Sequence, residues 1–288
     1  MRHRPMHGLS GRLPGRRATL GSATILVALA ASVTLSGQLG RGFGRWDGPR
    51  VPDPEHPTRT FTFCRVMYES VRREYGGYGW STDYPESDAN FMIRLSELTK
   101  TVIAEDLHGE PAHVVVRLTD DSLFDYPFIF MSDVGTLAFS DEEAERLGQY
   151  LARGGFLWVD DFWGPRAWDH WTAELRRALP AVEYPIIDIP LDHPIFRGLY
   201  ELEAIPQIPS IQFWRRSGGS TSERGYESAR PHFRGVADAH GRLMVFMSHN
   251  TDIADGWERE GEDEDYFHRF SIDAYAVGIN VLLYAMTH

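Results

Sequence analysis

Short apolar runs separated by amphipathic segments constrain the fold of this chain more than any other feature of its sequence. Continuous apolar runs predict strands that are buried on both faces of a sheet. We place strands at 60–68, 113–118, 127–131, 156–159 and 241–248. We place helices at 89–104, 140–153, 165–179 and 271–287. This alternation predicts an α/β fold whose mostly parallel sheet is covered by helices on both faces.

Local signals define some of the element ends. Ser140 and Glu143 have the spacing of a capping box, which predicts a helix N-terminus at this point. Asp88 is expected to cap the helix at 89–104. Residues 185–235 contain many Pro and Gly residues and are expected to be irregular.

A cluster of arginines followed by an uncharged apolar stretch marks the N-terminus. Five arginines lie within residues 2–17, and residues 20–35 carry no charge. This order is typical of a secretory signal or a membrane anchor, so we assign residues 1–40 to one apolar helix of that kind. The basic flank stays in the cytoplasm, which predicts an exported or membrane-anchored domain outside it. Residues 41–58 are rich in Gly and Pro and predict a linker, which leaves 59–288 as a single α/β domain.

The predicted domain is strongly acidic. Residues 51–288 contain 21 Lys or Arg and 40 Asp or Glu, a net charge of −19. Nucleic-acid binding needs a basic face, so we expect no nucleic-acid partner, and we expect membrane contact through the N-terminal segment only. A cation, a polyol or a basic partner suits this charge better. Cys64 is the only cysteine, which excludes an intramolecular disulfide and a cysteine-based zinc site.

Polar and aromatic side chains follow four of the predicted strands. The carboxyl ends of parallel strands meet at one edge of a sheet, where ligands bind. The candidate catalytic residues at this edge are Asp160, Asp161 and His249. The candidate ligand-binding residues are Trp80, Asp83, Tyr84, Asp133, Trp163, Asn250, Asp252 and Trp257. Clustered carboxylates suit a divalent cation such as Ca²⁺ or Mg²⁺, and carboxylates beside aromatic rings also suit sugars.

These residues also have purely structural interpretations. Asp160 or Asp161 can cap the helix after Pro165 or accept hydrogen bonds from loop N–H groups, and Asp83 can be a turn residue. His249 can be a buried histidine with satisfied hydrogen bonds, and the tryptophans can simply pack in the core. The acidic run at 258–265 is interpreted as a solvated loop.

Four separated segments carry a family resemblance. They are WSTDYP (80–85), NFMIRLSELT (90–99), GGFLWVDDFWG (154–164) and AYAVGINVLLYAMTH (274–288). In this order they resemble the bacterial domain-of-unknown-function family numbered 4159, over about residues 59–288. The resemblance implies a three-layer α/β/α sandwich similar to the class I glutamine amidotransferase-like, flavodoxin-type fold, often preceded by a membrane anchor. It brings no established activity.

The resemblance also bears on the chemistry. In amidotransferase-like enzymes, the turn after the strand that matches 156–159 carries a cysteine nucleophile. Here that turn reads Asp160-Asp161-Phe162, and the nearest match to their His-Pro-Glu element is His193-Pro194-Ile195. Glutaminase activity is therefore not expected. An aspartate at this turn can still act as a nucleophile, a general base or a ligand.

Three functions remain open from the sequence. In the first, a membrane-tethered or exported domain binds a small polar ligand or a cation at the acidic, aromatic-lined edge. In the second, the domain is a hydrolase in which Asp160 or Asp161 works with His249. In the third, an envelope assembly subunit holds a basic partner protein on its acidic surface. Ligand binding that depends on the aspartates separates the first two from the third, and turnover separates the second from the first.

Overall fold

A computed structural model of the chain describes residues 48–52 and 60–288. The N-terminal apolar helix predicted within residues 1–40 lies outside the described residues, as does most of the predicted linker. Within them, the most apolar helical stretch is the C-terminal one. Residues 264–287 are long and apolar enough to cross a membrane by length and composition, but 61% of their most apolar window is buried inside the protein.

Strands and helices alternate along most of the described chain. The strands are β1 (Cys64–Val66), β2 (Glu69–Ser70), β3 (Val114–Val116), β4 (Phe128–Met131), β5 (Leu137–Ala138), β6 (Phe156–Phe162), β7 (Ile186–Asp188), β8 (His232–Ala237) and β9 (Leu243–His249). The helices are α1 (Glu86–Leu98), α2 (Asp141–Ala152), α3 (Gly164–Ala178), α4 (Ile211–Ser217), α5 (Ile253–Glu258), α6 (Glu264–Tyr266) and α7 (Ile272–Thr287). A π-helical turn, Phe267–Ser271, joins α6 to α7.

Seven strands form one sheet in the order β3-β1-β4-β6-β9-β8-β7. The first five are parallel, and β8 runs antiparallel to both β9 and β7. The predicted α/β fold with a mostly parallel sheet is therefore confirmed. The chain order reverses between β1 and β4, and crevices at such a reversal are where ligands bind in open α/β sheets.

Helices pack on both faces of this sheet because its central strands are apolar throughout. Along β6, Phe156 and Trp158 belong to the core cluster that contains α1, α5 and α7. Leu157 and Val159 belong to the cluster that contains α2 and α3. This is the alternation of a strand whose two faces are both buried.

The element ends show what the local signals can and cannot locate. The capping box is confirmed: Oγ of Ser140 accepts from the Glu143 N–H, and the Glu143 carboxylate accepts from the Ser140 N–H. The expected cap at Asp88 is wrong, because α1 begins at Glu86 and Asp88 is buried in an ion pair with Arg65. The helix also ends at Leu98, earlier than predicted.

The region predicted to be irregular, 185–235, contains β7, α4 and most of β8. Gly235 in β8 is the clearest reason for the error, since glycine is unfavourable in strands. Here the glycine is required, because a Cβ at this position would lie 2.8 Å from the Val245 carbonyl oxygen on β9.

Candidate functional site

A cavity of about 500 Å³ opens at the carboxyl ends of β1, β4, β6 and β9. The loop between β2 and α1, Asp133 just after β4, the end of β6 and helix α5 all contribute to its wall. Eight acidic residues line it: Glu74, Asp83, Asp133, Asp161, Glu223, Asp252, Asp255 and Glu258. Three arginines line it as well: Arg216, Arg224 and Arg259. The volume lies within the range of small-molecule sites.

Left-handed backbone conformations occur at three strand ends of this edge and in the loop before α1. Among the described residues, the non-glycine residues with positive φ are Asp83 (62°), Asp133 (50°), Asp161 (52°) and Asn250 (62°). Asp and Asn tolerate this conformation better than other side chains with a Cβ, although it remains less favourable than for glycine. Three of these four side chains line the cavity.

Asp83, Asp252 and Asp255 form the tightest acidic cluster, which we call the aspartate triad. One carboxylate oxygen from each lies within 4.8 Å of the other two. Oδ2 of Asp83 is buried and accepts from no N–H or hydroxyl group; the carboxyl group that faces Asp83 is that of Glu258. Oxygen ligands at this spacing suit a hard divalent cation such as Mg²⁺ or Ca²⁺.

Two members of the triad are fixed by helix α5. Asp252 caps this helix, and its Oδ1 accepts from the Asp255 N–H at 2.9 Å. Oδ2 of Asp255 accepts from the Ile211 N–H at 2.9 Å and from the Tyr266 hydroxyl at 2.8 Å. These donors hold the carboxylates in place without neutralising their charge.

The loop that carries Asp83 is attached to the sheet by Arg65 on β1. Both Arg65 and Asp88 are fully buried, and the guanidinium contacts the carboxylate at N···O distances from 2.5 to 3.1 Å. Nη1 of Arg65 also donates to the backbone carbonyls of Trp80 and Thr82, at 3.1 and 2.9 Å. The position of Asp83 therefore depends on an ion pair in the core.

The two neighbouring aspartates on β6 have different environments. The register between β6 and β9 shifts between Val159 and Phe162, which is a bulge. Asp161 lines the cavity, and its Oδ1 accepts from Nε1 of Trp163 at 2.8 Å. Asp160 is buried beneath it and accepts from Oγ of Ser248 and from the Ala254 N–H. Asp160 thus accepts an N–H from the first turn of α5, which Asp252 caps, and does not cap the helix after β6.

Burial raises the pKa of every carboxyl group in this region that shows a clear shift, because desolvation disfavours the charged form. Burial raises the pKa of Asp133 and of Asp160 to about 7, and that of Asp255 to about 6. Burial, reinforced by Asp255, raises the pKa of Glu258 to about 7. Burial and the neighbouring acids hold the pKa well above its usual range for Asp83, Asp161 and Asp252. A bound cation would favour the ionised forms.

Six residues predicted from the sequence line the cavity. They are Asp83, Tyr84, Asp133, Asp161, Trp163 and Asp252. Asp133 also shapes the wall, because its Oδ2 accepts from the Gly79 N–H at 2.9 Å.

Five predicted residues lie outside the lining: Trp80, Asp160, His249, Asn250 and Trp257. Trp257 is fully buried and packs on Phe91 with ring centroids 4.6 Å apart, so it belongs to the core. Oδ1 of Asn250 accepts from the Gly164 N–H at 2.7 Å, which fixes the turn after β9. The Trp80 ring packs beside Tyr84.

His249 lies outside the cavity lining, and its ring contacts other residues. Its Nε2 lies 3.1 Å from the Gly164 carbonyl oxygen, and its ring packs against those of Phe162 and Trp168. Burial lowers the pKa of His249 to about 4, so the ring is neutral at pH 7.

Several residues of the cavity lining were not among those predicted from the sequence. Asp255 and Glu258 are the most important, since both lie on α5 beside Asp252. A signal for Asp255 was present, because residues three apart share a helix face. Arg224 could not be located from the sequence, since its partner Glu74 lies 150 residues away in the chain.

Comparison with known proteins gives a family. No curated protein matches the chain. A family model described as a domain of unknown function, DUF4159, matches residues 63–286. The matched span runs from the residue before β1 into α7 and contains every residue of the cavity lining. The chain therefore belongs to the DUF4159 family.

Proposed function

We propose that this domain binds a small polar ligand through a divalent cation held by the aspartate triad. One observation carries the proposal: three carboxylates, one from the loop before α1 and two from the first turn of α5, converge at a cavity, and Oδ2 of Asp83 is buried without an N–H or hydroxyl donor. A buried oxygen of this kind is costly unless a cation or a donor meets it.

The charge of the lining supports a cation. Arg224 is paired with Glu74 and Glu223. Arg259 is paired with Glu258 and also acts on Asp255, where it lowers the pKa less than burial raises it, so it offsets only part of the acidic charge at the triad. Mg²⁺ and Ca²⁺ both take carboxylate oxygens and leave coordination positions for ligand oxygens or water. The cation would offset the repulsion between the carboxylates and present a Lewis-acidic surface to the ligand.

The strand order supports the finer fold assignment that we propose, a three-layer sandwich of the glutamine amidotransferase-like, flavodoxin type. In chain order, the five parallel strands are arranged 2-1-3-4-5, which is the flavodoxin order. We do not extend the proposal to glutaminase activity. The turn Asp160-Asp161-Phe162 stands where the resemblance places the cysteine-bearing turn of those enzymes, and Asp160 is buried beneath the cavity with both oxygens hydrogen-bonded.

Hydrolysis by Asp160 or Asp161 with His249 receives less support than binding. Asp161 does line the cavity, but His249 is held against the Gly164 carbonyl, and no histidine is among the described residues of the lining. The assembly function, with a basic partner protein on the acidic surface, has no specific feature in its favour.

The cellular setting is part of the same proposal. The basic N-terminal flank and the apolar stretch after it support a domain that is exported or tethered to the cytoplasmic membrane and lies outside the cytoplasm.

The test is cation binding by the full-length chain, purified in detergent and treated with EDTA. Ca²⁺, Mg²⁺ and Mn²⁺ are added singly, and binding is followed by titration calorimetry and thermal unfolding. A cation at 100 times its Kd should stabilise the protein by about 2.7 kcal/mol, a rise of roughly 5–11 °C in Tm.

Asp83→Asn and Asp252→Asn should abolish this rise. In EDTA both variants should be at least as stable as the parent, because they remove a negative charge from the cluster. Asp125→Asn is the control, since Asp125 is exposed and outside the cavity lining. Absence of binding by all three ions, or an equal Tm rise in the Asn variants, would reject the proposal.

A further inference from the structure

Tyr78 presents an open aromatic face on the wall of the cavity. Its side chain is 81% exposed and lines the cavity. Within residues 48–52 and 60–288, its ring has no aromatic or guanidinium partner. The other aromatic side chains of the lining are less available: Tyr84 and Trp163 are buried, and the Arg216 guanidinium lies 5.1 Å from the Tyr75 ring centroid.

The backbone on both sides of this tyrosine is fixed. The Tyr78 N–H donates to Oγ1 of Thr82 at 2.8 Å, and the Gly79 N–H donates to Oδ2 of Asp133 at 2.9 Å. A Cβ on Gly77 would lie 2.3 Å from the same Asp133 oxygen, so only glycine permits this approach. The ring is therefore presented from an ordered loop, and binding against it costs little conformational entropy.

The rest of the lining contains far more acceptors than free donors. Eight carboxyl groups face three guanidinium groups, and Arg224 and Arg259 are already paired with acids of the lining. A ligand that supplies hydrogen-bond donors suits this excess of carboxyl groups. A ligand without negative charge also suits it, because carboxyl groups outnumber guanidinium groups in the lining and a negative charge would hold their protons in place or be repelled.

A sugar meets these requirements better than other small polar molecules. Its hydroxyls donate to carboxylates and coordinate hard cations through oxygen. The C–H groups on the flat side of a pyranose carry slight positive charge and stack on the electron-rich face of an aromatic ring. A cavity of about 500 Å³ holds one or two sugar rings.

We propose that the ligand is a neutral saccharide, which stacks on Tyr78 and places hydroxyls on the triad-bound cation and on free carboxylates of the wall. This inference rests on the proposed function, because the triad cation supplies part of the saccharide site. It adds a ligand class and a residue that selects for it.

The test uses the full-length chain in a detergent without a sugar headgroup, saturated with the cation that binds in the titration above. Glucose, galactose, N-acetylglucosamine, cellobiose and chitobiose are titrated by calorimetry, with spermidine and glucose 6-phosphate as charged probes. We expect at least one neutral saccharide to bind, and to bind more weakly after EDTA.

Variants then assign the stacking surface. Tyr78→Ala should weaken saccharide binding by about tenfold or more, whereas Tyr78→Phe retains the ring and should bind within about threefold of the parent. Tyr226→Ala is the matched control, because Tyr226 is 97% exposed and does not line the cavity. Cation affinity is measured for each variant to confirm that the triad is intact.

Failure of this inference is distinct from failure of the proposed function. Cation binding without binding of any neutral saccharide would overturn the inference and leave the cation site standing. Tighter binding of spermidine or glucose 6-phosphate than of every neutral sugar would overturn it as well. So would an equal loss in Tyr78→Ala and Tyr226→Ala. If no cation binds, the proposed function itself fails.

Discussion

Replacing Asp88 by Asn should strongly destabilise the domain, although Asp88 does not line the cavity. The substitution preserves size but leaves the Arg65 charge without its counterion at a fully buried position. Removing one partner of a buried ion pair costs about 3–5 kcal/mol, because the remaining charge is desolvated and uncompensated. For a folded part of this size, that corresponds to a fall of roughly 6–20 °C in Tm.

The assay is urea unfolding of the full-length chain followed by tryptophan fluorescence, since Trp158 and Trp257 are buried in the core. Glu97→Gln is the matched control on the same helix. Glu97 pairs with Arg94 at the surface, where the loss should be about 0–1 kcal/mol.

A double variant separates stability from positioning. Arg65→Met with Asp88→Leu removes both charges and should recover most of the lost stability. It still lacks the donors to the Trp80 and Thr82 carbonyls, so the Asp83 loop should loosen and cation affinity should stay low. A loss of unfolding free energy in Asp88→Asn no larger than that in Glu97→Gln would contradict the role of the ion pair in stability. A double variant that binds the cation as tightly as the parent would contradict its role in positioning Asp83.

Three further outcomes follow from the structure. Because burial raises the pKa of Asp133 and Asp160 to about 7, the folded protein keeps protons that the unfolded chain releases above about pH 4. In urea unfolding without cation, the contribution of these groups to the free energy of unfolding should therefore fall from about pH 4 to 7. Asp133→Asn should make this pH dependence shallower, and an unchanged dependence would contradict the raised pKa. His249→Phe should leave the cation Kd measured by calorimetry within about twofold of the parent's, since the ring lies outside the lining. A tenfold weaker Kd would indicate that His249 contributes to the cation site. Ser140→Ala should cost about 1 kcal/mol in thermal unfolding by removing the capping box, and an unchanged Tm would contradict that assignment.

The parts of the fold that the sequence predicted are those whose cause is local. The runs at 127–131 and 156–159 are apolar at almost every position because both faces of β4 and β6 are buried. The helix predicted between them allows the two strands to run parallel, as they do in the structure. The Ser140–Glu143 box lies within one helical turn. The acidic strand ends were also predictable, because the carboxyl ends of parallel strands meet at one edge.

The errors arise where distant residues decide the outcome. Aspartate is a common helix cap, which is why Asp88 was predicted to be one. In the structure its carboxylate pairs instead with Arg65, 23 residues earlier in the chain. Trp257 follows a strand among acidic residues, yet α5 turns its ring onto Phe63 and Phe91 in the core. Neither spacing nor composition distinguishes a side chain that turns toward the core from one that turns toward a cavity.

The left-handed backbone at Asp83 and Asn250 gives a further argument for the proposed site in the acidic cavity. Asp83 and Asn250 adopt the same left-handed conformation, which glycine would occupy at lower cost. Asn250 offsets that cost within the protein, because its amide bonds to the Gly164 N–H and to the Arg230 carbonyl. Oδ2 of Asp83 has no N–H or hydroxyl donor, and the groups around it at the triad are other carboxyl groups, that of Glu258 included. Backbone strain combined with crowded, buried carboxyl groups is unfavourable for the protein alone, which supports the proposed cation as the reason for aspartate at this position.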